Sequence, residues 1–141
     1  MPKEPQQPFD PHVHSPLLRH EVAFVLGQLR DAQACATLEE VLRDVADDVM
    51  VRHECAEALG AIGDARSIPL LQELASDETG KDVEEIQQTC QVARDFLKWK
   101  ASGGELRGEA RPGVVCACMI SAYNSHDPAP VSKSNAPHPP C

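Results

Sequence analysis

Apolar residues recur with helical spacing through the middle of the chain, and the same pattern occurs twice. The first series lies at positions i, i+3, i+4 and i+7 of a helix: Val22, Val25, Leu26 and Leu29. The second series has the same spacing and follows 33 residues later: Cys55, Ala58, Leu59 and Ile62. A fixed period of this length is typical of stacked helix pairs, in which no pair can bury its apolar face without a neighbour.

Each of these helices is followed by a second apolar stripe, which predicts a helix pair in each unit. In the first unit this second stripe is Leu38, Val41, Leu42 and Val45, and in the second unit it is Ile68, Leu71 and Leu74. Asp31 and Asp64 lie where a side-chain oxygen can cap the second helix, and Gly63 is suited to end the helix before it. We therefore predict an all-α fold of stacked helix pairs.

The repeats occupy residues 17–105, and the two ends of the chain differ from them in composition. A third, degenerate unit keeps the apolar spacing at Ile86, Cys90, Ala93 and Leu97. The Pro-rich residues 1–16 lack helical periodicity and are predicted to be an extended lead-in. Residues 106–141 combine six prolines with scattered polar residues, and we predict a disordered tail there.

Both full units contain the same polar triplet, Arg19-His20-Glu21 and Arg52-His53-Glu54. The third unit has Gln88-Thr89 roughly where the others have His-Glu. At about 100° per residue, His20 lies almost opposite the apolar stripe of its helix, and the same holds for His53. Stacking neighbouring helices at about 8–10 Å then places both His-Glu pairs on one side of the solenoid.

This shared surface predicts a metal site formed by His20, Glu21, His53 and Glu54. Mixed imidazole and carboxylate ligands suit non-haem iron, manganese or zinc, and helix bundles build di-iron sites from such side chains. Because no thiolate lies on this surface, iron is favoured over structural zinc. The alternative is a solvated polar face that repeat duplication has preserved.

Three other features of the repeats have structural interpretations. Arg19 and Arg52 are expected to pair with nearby carboxylates. Gly27 and Gly60 match between the units in helix interiors, where glycine costs about 1 kcal/mol, so they indicate either close helix packing or clearance for a substrate. The cysteines at apolar helical positions are expected to act as small buried hydrophobes, without disulfides: Cys35, Cys55 and Cys90.

The negative net charge limits the classes of partner that the protein is expected to bind. The net charge is −9, and residues 17–105 carry eighteen acidic against nine basic side chains. Such a surface repels nucleic acid and attracts cationic partners.

No apolar run approaches the roughly 20 residues that span a bilayer, and the polar start lacks a secretory signal. We therefore expect a cytoplasmic protein without nucleic-acid or membrane partners.

The chain resembles deoxyhypusine hydroxylase, a family of HEAT-repeat enzymes, in its amino-terminal half. The resemblance covers residues 17–105 and includes Leu17-Leu18-Arg19-His20-Glu21-Val22-Ala23 and the His-Glu segment from Val51 to Asp64. It implies a HEAT-like solenoid and a di-iron centre that uses dioxygen to hydroxylate the deoxyhypusine residue of a translation initiation factor to hypusine. By resemblance, the iron ligands are His20, Glu21, His53 and Glu54.

The number of His-Glu motifs differs from the family pattern. Family members have four such motifs in two halves, whereas this sequence has two. We therefore expect that activity requires two chains, since a homodimer would supply four pairs. The alternative from another functional class is a non-catalytic helical-repeat module that binds a protein partner through its acidic face.

Overall fold

A computed structural model describes residues 9–79 and 83–104, and this part of the chain contains helices and turns but no strand. The five α-helices, in chain order, are α1 (Pro16–Leu29), α2 (Cys35–Arg43), α3 (Val49–Ile62), α4 (Ile68–Leu74) and α5 (Val83–Ala101). The all-α, helical-repeat prediction is confirmed. The predicted disordered tail and the first eight residues of the predicted lead-in lie outside the described residues.

The connection inside each helix pair is the same in both units. Asp31 accepts a hydrogen bond from the backbone N–H of Gln33, and Asp64 accepts one from Arg66, both at 2.9 Å. Each aspartate begins a short 3-10 turn that continues directly into α2 or α4. The predicted caps are therefore present, although they begin the turn and not the α-helix itself. Gly63 ends α3 with a φ of 83°, as predicted.

Helix α3 is the centre of the core, because it packs against α1, α2 and α5, while α4 packs against α5. Every residue from Glu54 to Ile62 is buried, including the predicted stripe. The other helices contribute mainly aliphatic and small side chains: Ala23 from α1, Leu38, Val41 and Leu42 from α2, Leu70 and Leu71 from α4, and Ile86, Cys90, Ala93, Phe96 and Leu97 from α5. The apolar spacing predicted for the third unit is confirmed.

Two of the predicted stripes are wrong in part. Val25 and Leu29 of α1 are 50% and 62% exposed, because α1 faces α3 through a line displaced towards Ala23 and Gly27. Val45 is 61% exposed because α2 ends at Arg43, before a further turn could bring it to the core. Helical periodicity alone does not show which side of an outer helix its neighbour covers.

Gly27 lies at a close approach of α1 to α3. A Cβ at this position would lie 3.0 Å from the Cα of Ala58 and 3.2 Å from its Cβ, which is tighter than ordinary van der Waals contact. The contact atoms belong to the backbone and a short side chain, so they cannot turn aside. Of the two explanations considered for this glycine, close helix packing is the one that its contacts support.

Turns precede α1, and Phe9 contributes to the core. Its side chain is only 7% exposed, whereas the neighbouring residues up to the start of α1 are mostly exposed. Ser15 caps α1 by accepting a hydrogen bond from the N–H of Leu18, and Pro16 occupies the first helical position, which suits its missing N–H. Among the described helices, none combines the length and apolar character needed to cross a membrane.

The equivalent leucines Leu38 and Leu71 should stabilise the two units similarly. Both are fully buried, so replacing either by Ala should lower the free energy of unfolding by about 2–5 kcal/mol through lost burial and a cavity. Leu17→Ala is the control, because Leu17 is 72% exposed. Chemical denaturation of the three variants measures this, and equal stability of Leu17→Ala and Leu71→Ala would contradict the assigned core.

Candidate metal centre

The arginine of each triplet is buried and anchors its helix to another part of the repeats. Arg19 pairs with both carboxylate oxygens of Asp47, on the connection between α2 and α3, and the two side chains are 4% and 5% exposed. Arg52 donates instead from Nε to the carbonyl oxygen of Leu42 at 3.0 Å. The predicted carboxylate partner is thus confirmed for Arg19, whereas the bond described for Arg52 goes to the backbone.

A direct contact joins the two His-Glu pairs. Nε2 of His20, on α1, lies 3.1 Å from Oε2 of Glu54, on α3. We call this contact the first junction. The Glu54 side chain is 7% exposed and that of His20 is 25% exposed, so the contact lies at the edge of the core. The structure therefore brings one imidazole and one carboxylate from different repeats within hydrogen-bond distance.

Glu21 lies at the solvent side of the first junction. Its Oε1 atom is 3.4 Å from Nδ1 of His20, and its side chain is 58% exposed. The Nδ1 atom itself is buried and has no hydrogen-bond partner among the described residues. The two nitrogens of His20 thus face two different carboxylates, of which only Glu54 is buried.

The Glu54 carboxyl lies in a position that disfavours its charged form. Burial, followed by the nearby charge of Glu57, raises the pKa of the Glu54 carboxyl to about 7, and Glu21 adds a smaller effect in the same direction. His20 opposes this rise. The carboxylates at this edge of α3 therefore form a local concentration of negative charge that a nearby cation would stabilise.

The second His-Glu pair makes a contact of a different kind with α5. Nδ1 of His53 lies 2.6 Å from Oγ1 of Thr89, and we call this contact the second junction. Nε2 of the same ring lies 3.5 Å from Oε1 of Glu57, one turn further along α3. Thr89 is buried, whereas the His53 side chain is 34% exposed.

The predicted ligands are therefore distributed over two neighbouring junctions. At the first, His20 contacts Glu54 and Glu21 through different ring nitrogens, while His53 lies at the second. Within residues 9–79 and 83–104, no group of three or more His, Cys, Asp or Glu side chains is arranged to hold a metal ion. The described side chains bring potential metal donors together in pairs.

Two residues of this region were not among the predicted site residues. Glu57 is four positions after His53 on the same helix, a spacing that places two side chains on one face. Its counterpart in the first unit is Phe24, so Glu57 is not among the polar residues that the two repeats share. Thr89 was visible in the sequence as part of the Gln88-Thr89 replacement of His-Glu, but its contact with His53 depends on how α5 packs.

The cysteines have the structural role that the sequence indicated. Cys35, Cys55 and Cys90 are buried free thiols. Burial raises the pKa of Cys55 well above its usual range and that of Cys90 to about 12, and burial together with the charge of Asp64 raises the pKa of Cys35. Thiols in such surroundings stay protonated at neutral pH and do not act as thiolate ligands.

The fold and the repeated polar triplets define a class of protein. A family model for HEAT repeats matches residues 14–89, more than half of the chain, and the chain therefore belongs to the HEAT-repeat family. Among HEAT-repeat proteins, the chain is similar to deoxyhypusine hydroxylases, as the resemblance of its His-Glu segments indicated.

Relatives of this name come from animals, plants and fungi. The chain is 43% identical to deoxyhypusine hydroxylase of Danio rerio over 116 residues, covering 82% of the chain and 34% of the relative. It is 62% identical to that of Arabidopsis thaliana over 90 residues, covering 63% and 27%. The human enzyme in complex with glycerol has a similar structure, with a TM-score of 0.62 and 43% identity, covering 75% of the chain and 35% of that structure. The chain spans about a third of the length of these relatives.

Removing Asp47 should strongly destabilise the protein. Asp47→Ala would leave the Arg19 guanidinium buried without its counter-charge, and we expect the free energy of unfolding to fall by about 3–5 kcal/mol. Glu40→Ala, at an exposed position of α2, should change it by no more than about 0.5 kcal/mol. Urea denaturation compares the two variants, and equal effects would show that the buried pair is not a main anchor of α1.

Proposed function

We propose that this chain supplies iron ligands to a deoxyhypusine hydroxylase. The reaction is the iron- and dioxygen-dependent hydroxylation of the deoxyhypusine residue of a translation initiation factor to hypusine, which makes the protein a monooxygenase. The observation that carries the proposal is the contact of His20 with Glu54, since it joins the two His-Glu motifs through side chains that iron accepts as ligands. The similarity to deoxyhypusine hydroxylases supports it.

The donor set of the first junction fits iron. An imidazole nitrogen and a buried carboxylate oxygen lie 3.1 Å apart, and further carboxylates surround them. In this proposal His20, Glu21, His53 and Glu54 hold the metal and do not act as acid or base. Iron bound there would supply the activation of dioxygen.

The charge of the repeats suits the proposed substrate. Eighteen acidic side chains against nine basic ones in residues 17–105 create a negative field that attracts the amine-bearing side chain of deoxyhypusine. The same field disfavours nucleic acid as a partner. We further propose a cytoplasmic location, where translation factors are available as substrates.

A dinuclear centre needs more ligands than the two motifs provide. Di-iron sites in helical proteins typically use four carboxylates and two histidines, drawn from several helices. This sequence contains two His-Glu pairs, on α1 and α3. We therefore propose that a second copy of the chain provides the other two pairs in the active species.

Iron binding should depend on both histidines. We expect His20→Ala combined with His53→Ala to reduce iron per chain to background after anaerobic reconstitution with Fe²⁺, measured by elemental analysis. His12→Ala is the matched control, because His12 is exposed and precedes α1. If the double variant retains as much iron as this control, the assigned ligands are wrong. A wild-type protein without bound iron would favour the non-catalytic binding module.

Activity should rise with dimer formation. Across a dilution series, we expect the specific rate of deoxyhypusine hydroxylation to follow the fraction of dimer, because two chains would complete the ligand set. Light scattering measures the mass, and mass spectrometry of the substrate protein measures the added oxygen. A monomer with full activity that does not depend on concentration would exclude the need for a second copy.

A further inference from the structure

The two junctions are equivalent in the repeats but differ in chemistry. In each, a histidine contacts the helix that begins the next unit: His20 of α1 contacts Glu54 of α3, and His53 of α3 contacts Thr89 of α5. The first partner is a carboxylate and the second is a neutral hydroxyl. The ring atom also differs, since His20 faces its partner through Nε2 and His53 through Nδ1.

An acceptor role for Thr89 at the second junction would leave Nε2 of His53 free to bind a ligand. A neutral imidazole carries one proton, so a hydrogen bond that fixes the proton on one nitrogen leaves a lone pair on the other. The Thr89 hydroxyl can accept a hydrogen bond from Nδ1–H at the observed 2.6 Å. Nε2 then carries the lone pair, and histidine ligands in metal sites are commonly oriented in this way by an acceptor on the second nitrogen.

We propose that Thr89 is a positioning residue that holds His53 in the Nδ1–H form, with Nε2 directed towards the metal. This inference rests on the proposed function, because it assigns His53 as a ligand. Thr89 is suited to the role because it is buried, with Ile86 and Cys90 of the same helix in the core. The packing of α5 therefore fixes the position of the hydroxyl.

Glu57 competes with Thr89 for the single proton of His53. Nε2 lies 3.5 Å from a carboxylate oxygen of Glu57, which is one helical turn from Glu54 at the first junction, whereas Nδ1 lies 2.6 Å from the Thr89 hydroxyl. Because 3.5 Å exceeds the usual N–H···O distance, the contact with Thr89 is the one we expect to hold the proton. The free nitrogen of His53 thus points to the same carboxylate-lined edge of α3 that His20 contacts from α1. A carboxylate at position 89, as at position 54, would add another negative charge to this edge and could itself compete for a cation.

The test uses the full chain with Thr89→Val, which keeps the shape of the side chain and removes the hydroxyl, and Thr89→Ser, which keeps the hydroxyl. Thr89→Ala is a second hydroxyl-free variant, and Thr37→Val on α2 is the matched control because Thr37 belongs to neither junction. Long-range ¹H–¹⁵N spectra of the metal-free proteins report the tautomer of His53, whose signals are assigned from their absence in His53→Ala. Mn²⁺ binding, followed by electron paramagnetic resonance, is the second measurement.

We expect Thr89→Val and Thr89→Ala to move His53 towards the Nε2–H form, with Glu57 as acceptor, and to weaken Mn²⁺ binding by about 10- to 100-fold. Thr89→Ser should restore both properties, and Thr37→Val should change neither. An unchanged His53 tautomer in the hydroxyl-free variants would overturn the proposal, as would a changed tautomer with unchanged Mn²⁺ affinity. If the wild type itself binds no Mn²⁺, the proposed function fails, and the metal-free spectra still decide whether Thr89 sets the tautomer.

Discussion

The close approach of α1 and α3 at Gly27 is the constraint on which the candidate site depends. Gly27 lies two turns after His20 on α1, and Ala58 lies about one turn after Glu54 on α3, so each pair shares a helix face. Because a Cβ at position 27 would lie 3.0 Å from the Cα of Ala58, glycine lets the helices meet at this distance without displacing Ala58. The short separation then allows an imidazole on α1 to reach a carboxylate on α3 directly.

The core beside this contact carries charges that a purely structural helix would avoid. Glu54 and Glu57 are 6% and 7% exposed on the central helix, and Arg19 and Arg52 are 3% and 4% exposed. Removing a charge from water is costly unless a partner compensates it. Arg19 has that partner in Asp47, whereas the acidic edge of α3 has the imidazoles of His20 and His53. A cation bound at this edge would compensate the buried carboxylates, which packing alone does not require.

The two repeat junctions show how a duplicated motif can make different contacts. Both place a histidine against the next helix, but the partner is a buried carboxylate in one and a buried hydroxyl in the other. A carboxylate can itself bind a metal, whereas a hydroxyl orients the ring and adds no charge. The proposed division between a residue that binds metal and one that orients a ligand follows from this difference.

The sequence by itself determined the helical repeat, its helix pairs and their caps, because helical periodicity and capping are local properties that the 33-residue period displays twice. It also singled out His20, Glu21, His53 and Glu54, since polar residues that match between two copies are visible without a structure. Their role as metal ligands remains a prediction.

The tertiary structure alone decided which faces are covered and which side chains meet. Val25 and Leu29 fit a helical stripe but are exposed, because burial depends on where the neighbouring helix lies and not on periodicity. The contacts of His20 with Glu54 and of His53 with Thr89 join residues more than thirty positions apart. Such contacts depend on the distance and rotation between packed helices, which the period of a sequence does not specify.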